Sequence, residues 1–416
     1  MRAEIITIGD ELLIGQVVDT NSAWMAQQLN AYGIELYQIT SVHDDREHII
    51  AALNEAFSRA DIVLTTGGLG PTKDDITKHV LCDYFGTHLI EDPQVRAHIE
   101  LLYADRPDVI NRLTATQWLV PETAVILENR VGSAPLMIFR KDDKLLACMP
   151  GVPYEMQIAM EEQILPYIQS VQGNKGQGTK IIHKTLQVTG VAESSLAILL
   201  ENYENSMPAA LHLAYLPKDG IIRLRLSSYG EMTEEEVGQW FDNLKTLVAD
   251  YLIADTDEPL EVILGRLLKS RHETISSAES CTGGKIASIL NRHAGSSEFY
   301  WGSIISYDNS VKEHLLDVPA EMIKQHGVVS EEVVRVMAES VRKRLNTNYG
   351  IATSGIAGPG GGTPNKPVGT VWIAWATPSG TKAECFHLGK LRDQITDRAT
   401  LKALIGMIRI ITQNNV

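Results

Sequence analysis

The sequence predicts an α/β protein in three parts: a doubly wound N-terminal domain, a small α+β connector and a C-terminal α/β domain. At 416 residues the chain is too long for one ordinary core, and it divides by pattern. Short β-branched runs alternate with amphipathic helical stretches up to about residue 170, and again after residue 255. Between them the order changes to strand, helix, strand, strand, helix. We therefore place the domains at 1–170, 171–254 and 255–416.

The N-terminal domain is predicted from five successive elements in β-α-β-α-β order. Apolar runs at 3–9, 34–42 and 61–68 indicate buried parallel strands, and amphipathic stretches at 21–32 and 47–59 indicate the helices between them. Parallel strands joined by helices form a sheet that is covered on both faces.

Two polar segments mark the predicted boundaries. SVQGNKGQGTK (170–180) is a Gly-rich linker that contains a G-x-x-G from Gly173 to Gly176, and ADTDEPLE (254–261) precedes a fresh helix with Pro259 near its start. The last domain should contain a final helix after Arg392 and strands at 274–280, 301–307, 349–355, 369–377 and 382–388.

Composition excludes several classes of protein. The chain is 44% hydrophobic and 21% charged, as in soluble globular proteins, and its net charge of −15 disfavours a nucleic-acid surface. It has no long apolar run and an acidic N-terminus, so we expect a cytoplasmic protein without a membrane segment. Its four cysteines include no C-x-x-C pair, which predicts free thiols.

Two motifs in the first domain predict a phosphate and metal site. GDELLIG places Asp10 and Glu11 after the first strand, at the sheet edge where open α/β sheets bind ligands. TTGGLGPTKDD offers Gly67 and Gly68 for close approach to a phosphate; Asp74 and Asp75, predicted in the first turn of a helix, suggest a divalent cation. The alternatives are a polar loop and acids that only complement the helix dipole.

Two further loops, ENRVGSAPLM (128–137) and MPGVPYEM (149–156), follow the same theme at other strand ends. Ordinary turn chemistry would explain each of them. As additional loops at one sheet edge, they are predicted to wall a pocket.

The stretch TISSAESCTGG (274–284) predicts a nucleophilic serine. Ser280 ends a strand and needs a base, and no histidine lies in these motifs. Lys312 can serve if burial lowers its pKa, with Tyr307 orienting the proton, and the amides of residues 282–284 at a helix start would hold an oxyanion. The alternatives are that Ser280 or Thr282 is a helix cap and that Lys312 is a solvated residue.

The N-terminal motifs GDELLxG, TTGGLGPTxDD, NxxGSAP and PGVPYEM resemble the molybdopterin-binding-like domain of the CinA family. The resemblance implies metal-dependent hydrolysis of the pyrophosphate bond of ADP-ribose. It implies a site with Gly67 and Gly68 at the substrate and with Mg²⁺, Mn²⁺ or Co²⁺ near Asp10, Glu11, Asp74 and Asp75.

The C-terminal motifs AESCTGG, SYxNxxK and SGIAGPGGG…KPVGTVW resemble the C-terminal domain of the same family, a nicotinamide-nucleotide amidohydrolase. The resemblance implies catalysis by Ser280, Tyr307 and Lys312 without a cofactor. The residues expected to bind substrate are Glu279, Thr282, Gly283, Asn309, Ser354, Gly355 and Gly358. One departure is that HLGKLRDQITDR (387–398) replaces the family's GDR sequence, so Lys390, Arg392 or Arg398 must supply its cation.

The connector resembles the KH-like module of full-length CinA proteins through VTGVAESSL (188–196) and AYLPKDGIIRLRL (214–226). Its G-x-x-G lies in the linker, which favours a spacer over a nucleic-acid clamp. We therefore expect a homodimeric enzyme that acts on nicotinamide mononucleotide and ADP-ribose. The alternative is a nucleotide- or molybdopterin-binding scaffold, linked to competence or DNA damage, with one or both sites inactive.

Overall fold

The computed structural model describes residues 1–172 and 181–413. The chain divides into two compact units, Met1–Ile181 with Tyr229–Glu231, and Ile182–Ser228 with Met232–Val416. The predicted linker lies mostly outside the described residues, as does the G-x-x-G within it. The predicted boundary near residue 254 falls inside the second unit, and the division into three domains stays a prediction.

The first unit is built on a six-stranded sheet in the order β2-β1-β3-β8-β7-β6, and β4 pairs separately with β5. Its strands are β1 Arg2–Ile8, β2 Glu35–Val42, β3 Ile62–Thr66, β4 Leu89–Glu91, β5 Leu119–Pro121, β6 Val125–Leu127, β7 Leu136–Lys141 and β8 Lys144–Met149. Its helices are α1 Asp10–Leu13, α2 Thr20–Ala31, α3 Arg46–Arg59, α4 Thr77–Phe85, α5 Pro93–Leu102, α6 Pro153–Ala159 and α7 Leu165–Gln172.

Helices cover both faces of this sheet, because successive strand residues point to opposite sides. In β1, Ile5 packs in a core with α2, α6 and α7, whereas Ile6 packs in a second core with α3 and α4. The predicted doubly wound N-terminal fold is therefore present.

The connector contributes a four-stranded sheet in the order β10-β11-β9-β12. Its elements are β9 Ile181–Thr189, α8 Glu193–Ser206, β10 His212–Lys218, β11 Ile221–Tyr229, α9 Glu234–Leu247 and β12 Leu252–Ala254. The predicted order of strand, helix, strand, strand, helix is present, and β12 adds an antiparallel neighbour to β9.

The C-terminal part has a five-stranded sheet in the order β14-β13-β15-β16-β17. Its strands are β13 Ile275–Glu279, β14 Tyr300–Ile305, β15 Tyr349–Gly355, β16 Thr370–Thr377 and β17 Gly380–His387. Its helices are α10 Leu260–Ser270, α11 Lys285–Leu290, α12 Asn309–Leu316, α13 Ala320–His326, α14 Glu331–Arg344 and α15 Arg392–Gln413. One core contains α10, α11 and α15 with Ile275, and another contains α14 with Ala278.

Two further findings concern the state of the cysteines and the character of the helices. All four cysteines are free thiols, as predicted. Within the described ranges, no helix has both the length and the apolar character that a bilayer crossing requires.

Candidate functional site

The six-stranded N-terminal sheet and the five-stranded C-terminal sheet each have a central strand with later strands added on both sides of it. β13 pairs in parallel with β14 on one side and β15 on the other, and β1 pairs likewise with β2 and β3. Loops that follow such strands separate and leave a crevice at their carboxyl ends, where α/β proteins bind ligands. Motifs identified in the sequence follow five of these six strands, all except β2.

The crevice of the C-terminal sheet contains a cavity of about 270 Å³. Most of the predicted C-terminal site residues line it: Ser280, Tyr307, Asn309, Lys312, Ser354, Gly355 and Gly358. Cys281, Val328, Val329 and Arg392 complete the wall together with other residues of the glycine-rich loop. The hydroxyl and the amine that the sequence pairs as nucleophile and base therefore share one cleft.

Lys312 is the buried base candidate of this cavity. It lies on α12 and is only 1% exposed, and Nζ donates hydrogen bonds to the carbonyl oxygens of Ser306 at 2.6 Å and Tyr307 at 3.0 Å. Burial lowers the pKa of Lys312, and the nearby Asp308 carboxylate and Cys281 thiol oppose the shift only in part. Lys312 is therefore not a solvated surface lysine. Its neutral amine is populated at a lower pH than that of free lysine.

Ser280 lies in a tight turn between β13 and α11. Its amide donates to the Thr353 carbonyl at 3.1 Å, and its carbonyl accepts from the Gly283 amide at 3.2 Å. The neighbouring thiol of Cys281 also lines the cavity, but burial raises its pKa to about 12, so it stays protonated near neutral pH. A thiol in that form is a poor nucleophile, which leaves Ser280 as the better candidate.

Of the three cation candidates named from the sequence, Arg392 is the one that lines the cavity. Its Nη1 donates to the Gly358 carbonyl at 2.7 Å and its Nη2 donates to the Tyr307 hydroxyl at 3.0 Å. Arg398 instead donates to the Leu388 carbonyl at 3.2 Å, and neither it nor Lys390 is among the described residues that line the cavity. The guanidinium therefore holds both a catalytic candidate and the glycine-rich loop.

Three predicted substrate contacts are not brought into the cavity: Glu279, Thr282 and Gly283. Glu279 is fully buried, and its carboxylate accepts from the Thr282 hydroxyl at 2.7 Å and from the amides of Gly284 at 3.0 Å, Ile286 at 3.1 Å and Ala287 at 2.8 Å. It thus caps α11, a role considered for Ser280 or Thr282 only as the alternative to a nucleophilic serine. We therefore correct Glu279, Gly283 and the side chain of Thr282 from substrate contacts to parts of the turn; the main-chain amide of Thr282 is a separate group.

The predicted oxyanion donors change for the same reason. α11 begins at Lys285 rather than at Thr282, and the Gly284 amide that was expected to face substrate is bound to Glu279. The amides of Cys281 and Thr282, in contrast, have no acceptor in another of the described residues. They are the main-chain donors left beside Ser280.

In the N-terminal unit, the residues that follow β1, β2 and β3 form an acidic cluster of Asp10, Glu11, Asp44 and Asp75. Burial raises the pKa of Asp44, and repulsion from the other three carboxylates adds to the rise although the Asp10 amide opposes it. The Asp10 amide donates to Asp44 at 3.2 Å, and the Asp10 carboxylate lies 2.7 Å from Nδ1 of His43. These carboxylates therefore lie within electrostatic reach of one another.

The two predicted phosphate-binding glycines allow the loops to approach each other closely. Gly67 has φ of 110°, and a Cβ there would lie 2.0 Å from the Ile8 carbonyl oxygen. Gly68 has φ of 64°, and its Cβ would lie 2.1 Å from Thr77 Oγ1 and 3.1 Å from Asp44 Oδ1. Only glycine fits both positions, because a Cβ at 67 would collide with the Ile8 carbonyl and one at 68 with the Thr77 hydroxyl.

Asp74 and Asp75 were expected in the first turn of a helix, and this is corrected by the structure, since α4 begins at Thr77. The Asp75 carboxylate accepts from the amides of Gly70 at 2.8 Å and Thr72 at 3.0 Å, which holds a turn ahead of the helix. The Thr72 hydroxyl donates to Asp75 at 2.5 Å and, together with a main-chain amide, lowers the pKa of the neighbouring Asp74, to which no repulsion from the acidic cluster contributes. Asp44 therefore replaces Asp74 in our set of candidate metal ligands.

The fit to a divalent cation depends on the substrate. Among residues 1–172 and 181–413, no three histidine, cysteine, aspartate or glutamate side chains converge closely enough to hold a metal ion. Mg²⁺ is commonly bound by one or two carboxylates together with substrate phosphates and water. The oxygen donors of the acidic cluster fit that mode.

Asp44 was not predicted from the sequence, although the rule that predicted Asp10, a polar residue just after a strand, also applies to Asp44. Asp44 follows β2, which ends at Val42, just as Asp10 follows β1. Arg392 was named but not chosen, because the start of α15 decides which of the basic residues faces the cavity. Nothing in the sequence singled out Val328 and Val329 as cavity residues.

Comparisons with known proteins match both parts of the chain. The family model described as "CinA C-terminal domain" matches residues 257–411, and the one described as "Probable molybdopterin binding domain" matches residues 4–170. The C-terminal match contains the whole cavity, and the N-terminal match contains the acidic cluster.

Relatives extend the match over the full length. A CinA-like protein of Flavobacterium psychrophilum is 42% identical over 421 aligned positions, which cover 100% of this chain and 99% of the relative. A CinA-like protein of Chloroherpeton thalassium is 42% identical over 91% of this chain and 90% of its own. Among solved structures, the competence/damage inducible protein CihA of Agrobacterium tumefaciens is 32% identical over 38% of this chain and 99% of its own, with a TM-score of 0.35. The chain belongs to the CinA family.

Proposed function

We propose that the C-terminal domain hydrolyses nicotinamide mononucleotide to nicotinate mononucleotide and ammonia. The observation that carries the proposal is the buried Lys312 amine, which lines the same cavity as Ser280 and is held by main-chain carbonyls. The motif resemblance supplies the substrate, and the cavity supplies a nucleophile, a base and a cation.

The hydrogen bonds of Lys312 favour its action as a base. A neutral amine has two N–H bonds and one lone pair, and the carbonyls of Ser306 and Tyr307 can accept both hydrogens. The lone pair is then the group left to bind the proton of the Ser280 hydroxyl. Lowering of the pKa of Lys312 by burial increases the fraction of enzyme in this state.

The reaction proceeds by acyl transfer in two stages. Ser280 Oγ attacks the carboxamide carbon while its proton moves to Lys312 Nζ, and the amides of Cys281 and Thr282 stabilise the negative charge on oxygen. The tetrahedral intermediate then breaks its C–N bond, and Lys312 returns the proton to the departing ammonia. Water attacks the resulting ester by the same route and releases nicotinate mononucleotide and Ser280.

The phosphate end of the substrate is assigned to Arg392 and the glycine-rich loop. The Arg392 guanidinium lines the cavity and donates to Gly358 and Tyr307, and its planar donor group suits a phosphate. Glycines at 358, 360 and 361 leave main-chain groups accessible along the same wall. Recognition of a phosphate here would favour the nucleotide over free nicotinamide.

The direct test is ammonia release from nicotinamide mononucleotide by the full chain, with nicotinate mononucleotide measured in the same samples. We expect equal amounts of the two products, without any added metal. Binding of the substrate, seen as a rise in melting temperature, without either product would instead support the scaffold alternative.

A substitution at Asp308 tests Lys312 as the base. The Asp308 carboxylate opposes the fall in the pKa of Lys312, and it caps α12 by accepting from the Ser310 amide at 2.9 Å. Asparagine keeps an oxygen for the cap but loses the charge. We expect Asp308→Asn to lower the pKa of Lys312 further, so that the rising limb of kcat/KM against pH moves to lower pH.

The control for this experiment is Asp317→Asn, which changes an exposed aspartate of the same segment that pairs with Arg344. Its pH profile should coincide with that of the wild type. An Asp308→Asn profile that shifts to higher pH, or not at all, would contradict the assignment of Lys312.

For the N-terminal domain we propose hydrolysis of the pyrophosphate bond of ADP-ribose. The acidic cluster, with Asp44 raised in pKa by burial and neighbouring charge, supports it. Asp10, Asp44 and Asp75 would hold a divalent cation, which would neutralise charge on the pyrophosphate oxygens. Gly68 brings the main chain of its loop close to Asp44, where its amide could face those oxygens.

Removal of one carboxylate should separate the two activities. We expect Asp44→Asn to lower ADP-ribose cleavage by at least about a hundredfold, because loss of a group that positions a metal typically costs 10–100-fold or more. Ammonia release from nicotinamide mononucleotide should not change, and EDTA should have the same selective effect. Asp45→Asn is the matched control, since Asp45 caps α3 through the Glu47 amide at 2.9 Å and its asparagine can do the same.

A further inference from the structure

A second cavity in the N-terminal unit, of about 280 Å³, lies between helix α5 and the loop 128–135. None of the four carboxylates of the acidic cluster is among the described residues that line it. Binding pockets for whole small ligands usually measure about 300–1,000 Å³. This cavity is therefore large enough for part of ADP-ribose but not for all of it.

The cavity lies at the same edge of the sheet as Gly67 and Gly68. β7 begins at Leu136 and pairs Met137 with Cys148 near the end of β8, so the loop before β7 lies beside the loop after β8. A Cβ on Gly151 in that second loop would lie 3.4 Å from the Cα of Gly67. Two strand spacings of about 4.8 Å separate β3 from β7. A ligand whose pyrophosphate lies at Gly67 can therefore reach the cavity with one end.

Hydrogen bonds hold the loop that forms one wall of the cavity. Asn129 is buried, and its Nδ2 donates to the Ala134 carbonyl at 3.0 Å and to Glu155 Oε2 at 2.8 Å. Gly132 packs against the same carboxylate so closely that a Cβ would lie 2.0 Å from Glu155 Oε2. The loop is thus fixed in shape before any ligand arrives.

The polar groups of the cavity suit hydroxyl groups. Glu128 and Asp92 contribute carboxylates and Gln94 an amide, while His98, with a side chain only 18% exposed, lies 3.3 Å from Glu128 Oε1 and 3.3 Å from the Gly132 carbonyl. Asp92 is engaged in capping α5 through the Gln94 amide at 2.8 Å, which leaves Glu128 as the accessible acceptor.

Cations are scarce at this site. Lysine and arginine are absent from the described residues that line the cavity. Arg130, on the same loop, pairs with Glu162 at 2.9 Å and lies 3.9 Å from Glu128. The remaining walls, Val95, Ile126, Leu127 and Pro135, are apolar and can contact the face of a base.

We propose that this cavity binds the nucleoside end of the substrate through the free hydroxyls of its ribose, and that Glu128 selects against a ribose that carries a phosphate. Hydroxyls donate to a carboxylate, whereas a phosphate there would place a second anion beside Glu128, and the nearby Arg130 is already paired with Glu162. The choice of ADP-ribose as ligand rests on the proposed pyrophosphatase activity. The selection rule itself concerns binding.

Calorimetric titration of the full chain in EDTA tests the selection rule without turnover. ADP-ribose and its form phosphorylated at the 2′-hydroxyl of the adenosine ribose are the two probes. We expect the wild type to bind ADP-ribose at least about tenfold more tightly, and Glu128→Gln to reduce that preference to about twofold, because a charged hydrogen bond and a repulsion are both lost.

Glu122→Gln is the matched control, since Glu122 lies outside the cavity and pairs with His88 at 3.6 Å. It should keep the wild-type preference. Equal affinity of the wild type for the two probes, no binding of either, or an unchanged preference in Glu128→Gln would overturn the inference. Cleavage of ADP-ribose with Mg²⁺ is measured separately: selective binding without cleavage would refute the proposed pyrophosphatase and leave the ribose site standing.

Discussion

Replacement of Ser280 by alanine should reduce ammonia release from nicotinamide mononucleotide by at least about a thousandfold, because nucleophilic residues that act as a unit with their base typically contribute that much or more. The substitution removes one oxygen from a turn whose main-chain hydrogen bonds, to Thr353 and from Gly283, do not involve the side chain. The fold of the turn should therefore survive. ADP-ribose cleavage, which belongs to the other unit, should be unaffected.

The control for this prediction is Ser288→Ala, which changes an exposed serine on the helix that follows the same turn. Steady-state rates with saturating nicotinamide mononucleotide compare the two variants, and mass spectrometry of the wild type after rapid quenching seeks the ester of nicotinate mononucleotide on Ser280. Retention of wild-type activity by Ser280→Ala would show that water attacks the carboxamide directly, with Lys312 as its base, and would remove the acyl-enzyme from the mechanism.

Replacement of Glu279 by alanine should lower the free energy of unfolding of the C-terminal part by about 3 to 5 kcal/mol, as expected when a buried network loses its acceptor. The carboxylate is fully buried and accepts from the Thr282 hydroxyl and from the amides of Gly284, Ile286 and Ala287. Alanine would leave all four donors without this partner. Glutamine should also destabilise, because its NH₂ group would face main-chain N–H groups.

Chemical unfolding followed by circular dichroism measures this loss, and hydrogen exchange of the amides in α11 locates it. The control is Glu298→Ala, which removes an exposed carboxylate paired with Lys269 at 2.9 Å and should change stability by less than about 1 kcal/mol. A Glu279→Ala variant of normal stability but raised KM would restore our first expectation, that this carboxylate binds substrate.

The sequence predicted the residues that meet at the sheet edges because the rule behind them is simple. Parallel strands end at one edge, so polar residues that directly follow apolar runs converge there. Ser280 and Tyr307 follow two strands of the C-terminal sheet, Ser354 lies at the end of a third, and all three line its cavity. The same rule would have found Asp44 in the N-terminal sheet.

The sequence could not show where the helix after Ser280 begins. Gly283 and Gly284 have φ of 58° and 98°, so they delay the start of α11 to Lys285. Glu279 then points inward from the end of β13 and binds the Gly284 amide, one of the three that the sequence predicted to face substrate, together with the amides of Ile286 and Ala287. A composition of small and polar residues is compatible with either arrangement, and only the dihedral angles decide between them.

The choice of cation was open for a related reason. Lys390, Arg392 and Arg398 all lie within one segment, and a shift of one residue in the start of α15 changes which of them faces the cavity. In the structure α15 starts at Arg392 itself, which puts its guanidinium against Gly358 and Tyr307. The residue types in this segment do not indicate at which residue the helix starts.

The two acceptors that hold the Lys312 amine are main-chain oxygens, and this affects how the protein tolerates change. Substitutions at positions 306 and 307 alter side chains but leave the carbonyls of these residues in place. In a saturation library at these two positions, many variants should therefore keep both hydrogen bonds of the Lys312 amine, including some variants that lack the Tyr307 hydroxyl. The position of the Lys312 amine therefore does not depend on the side chains at 306 and 307. Substitutions that change substrate preference can be selected at these positions while the base is kept.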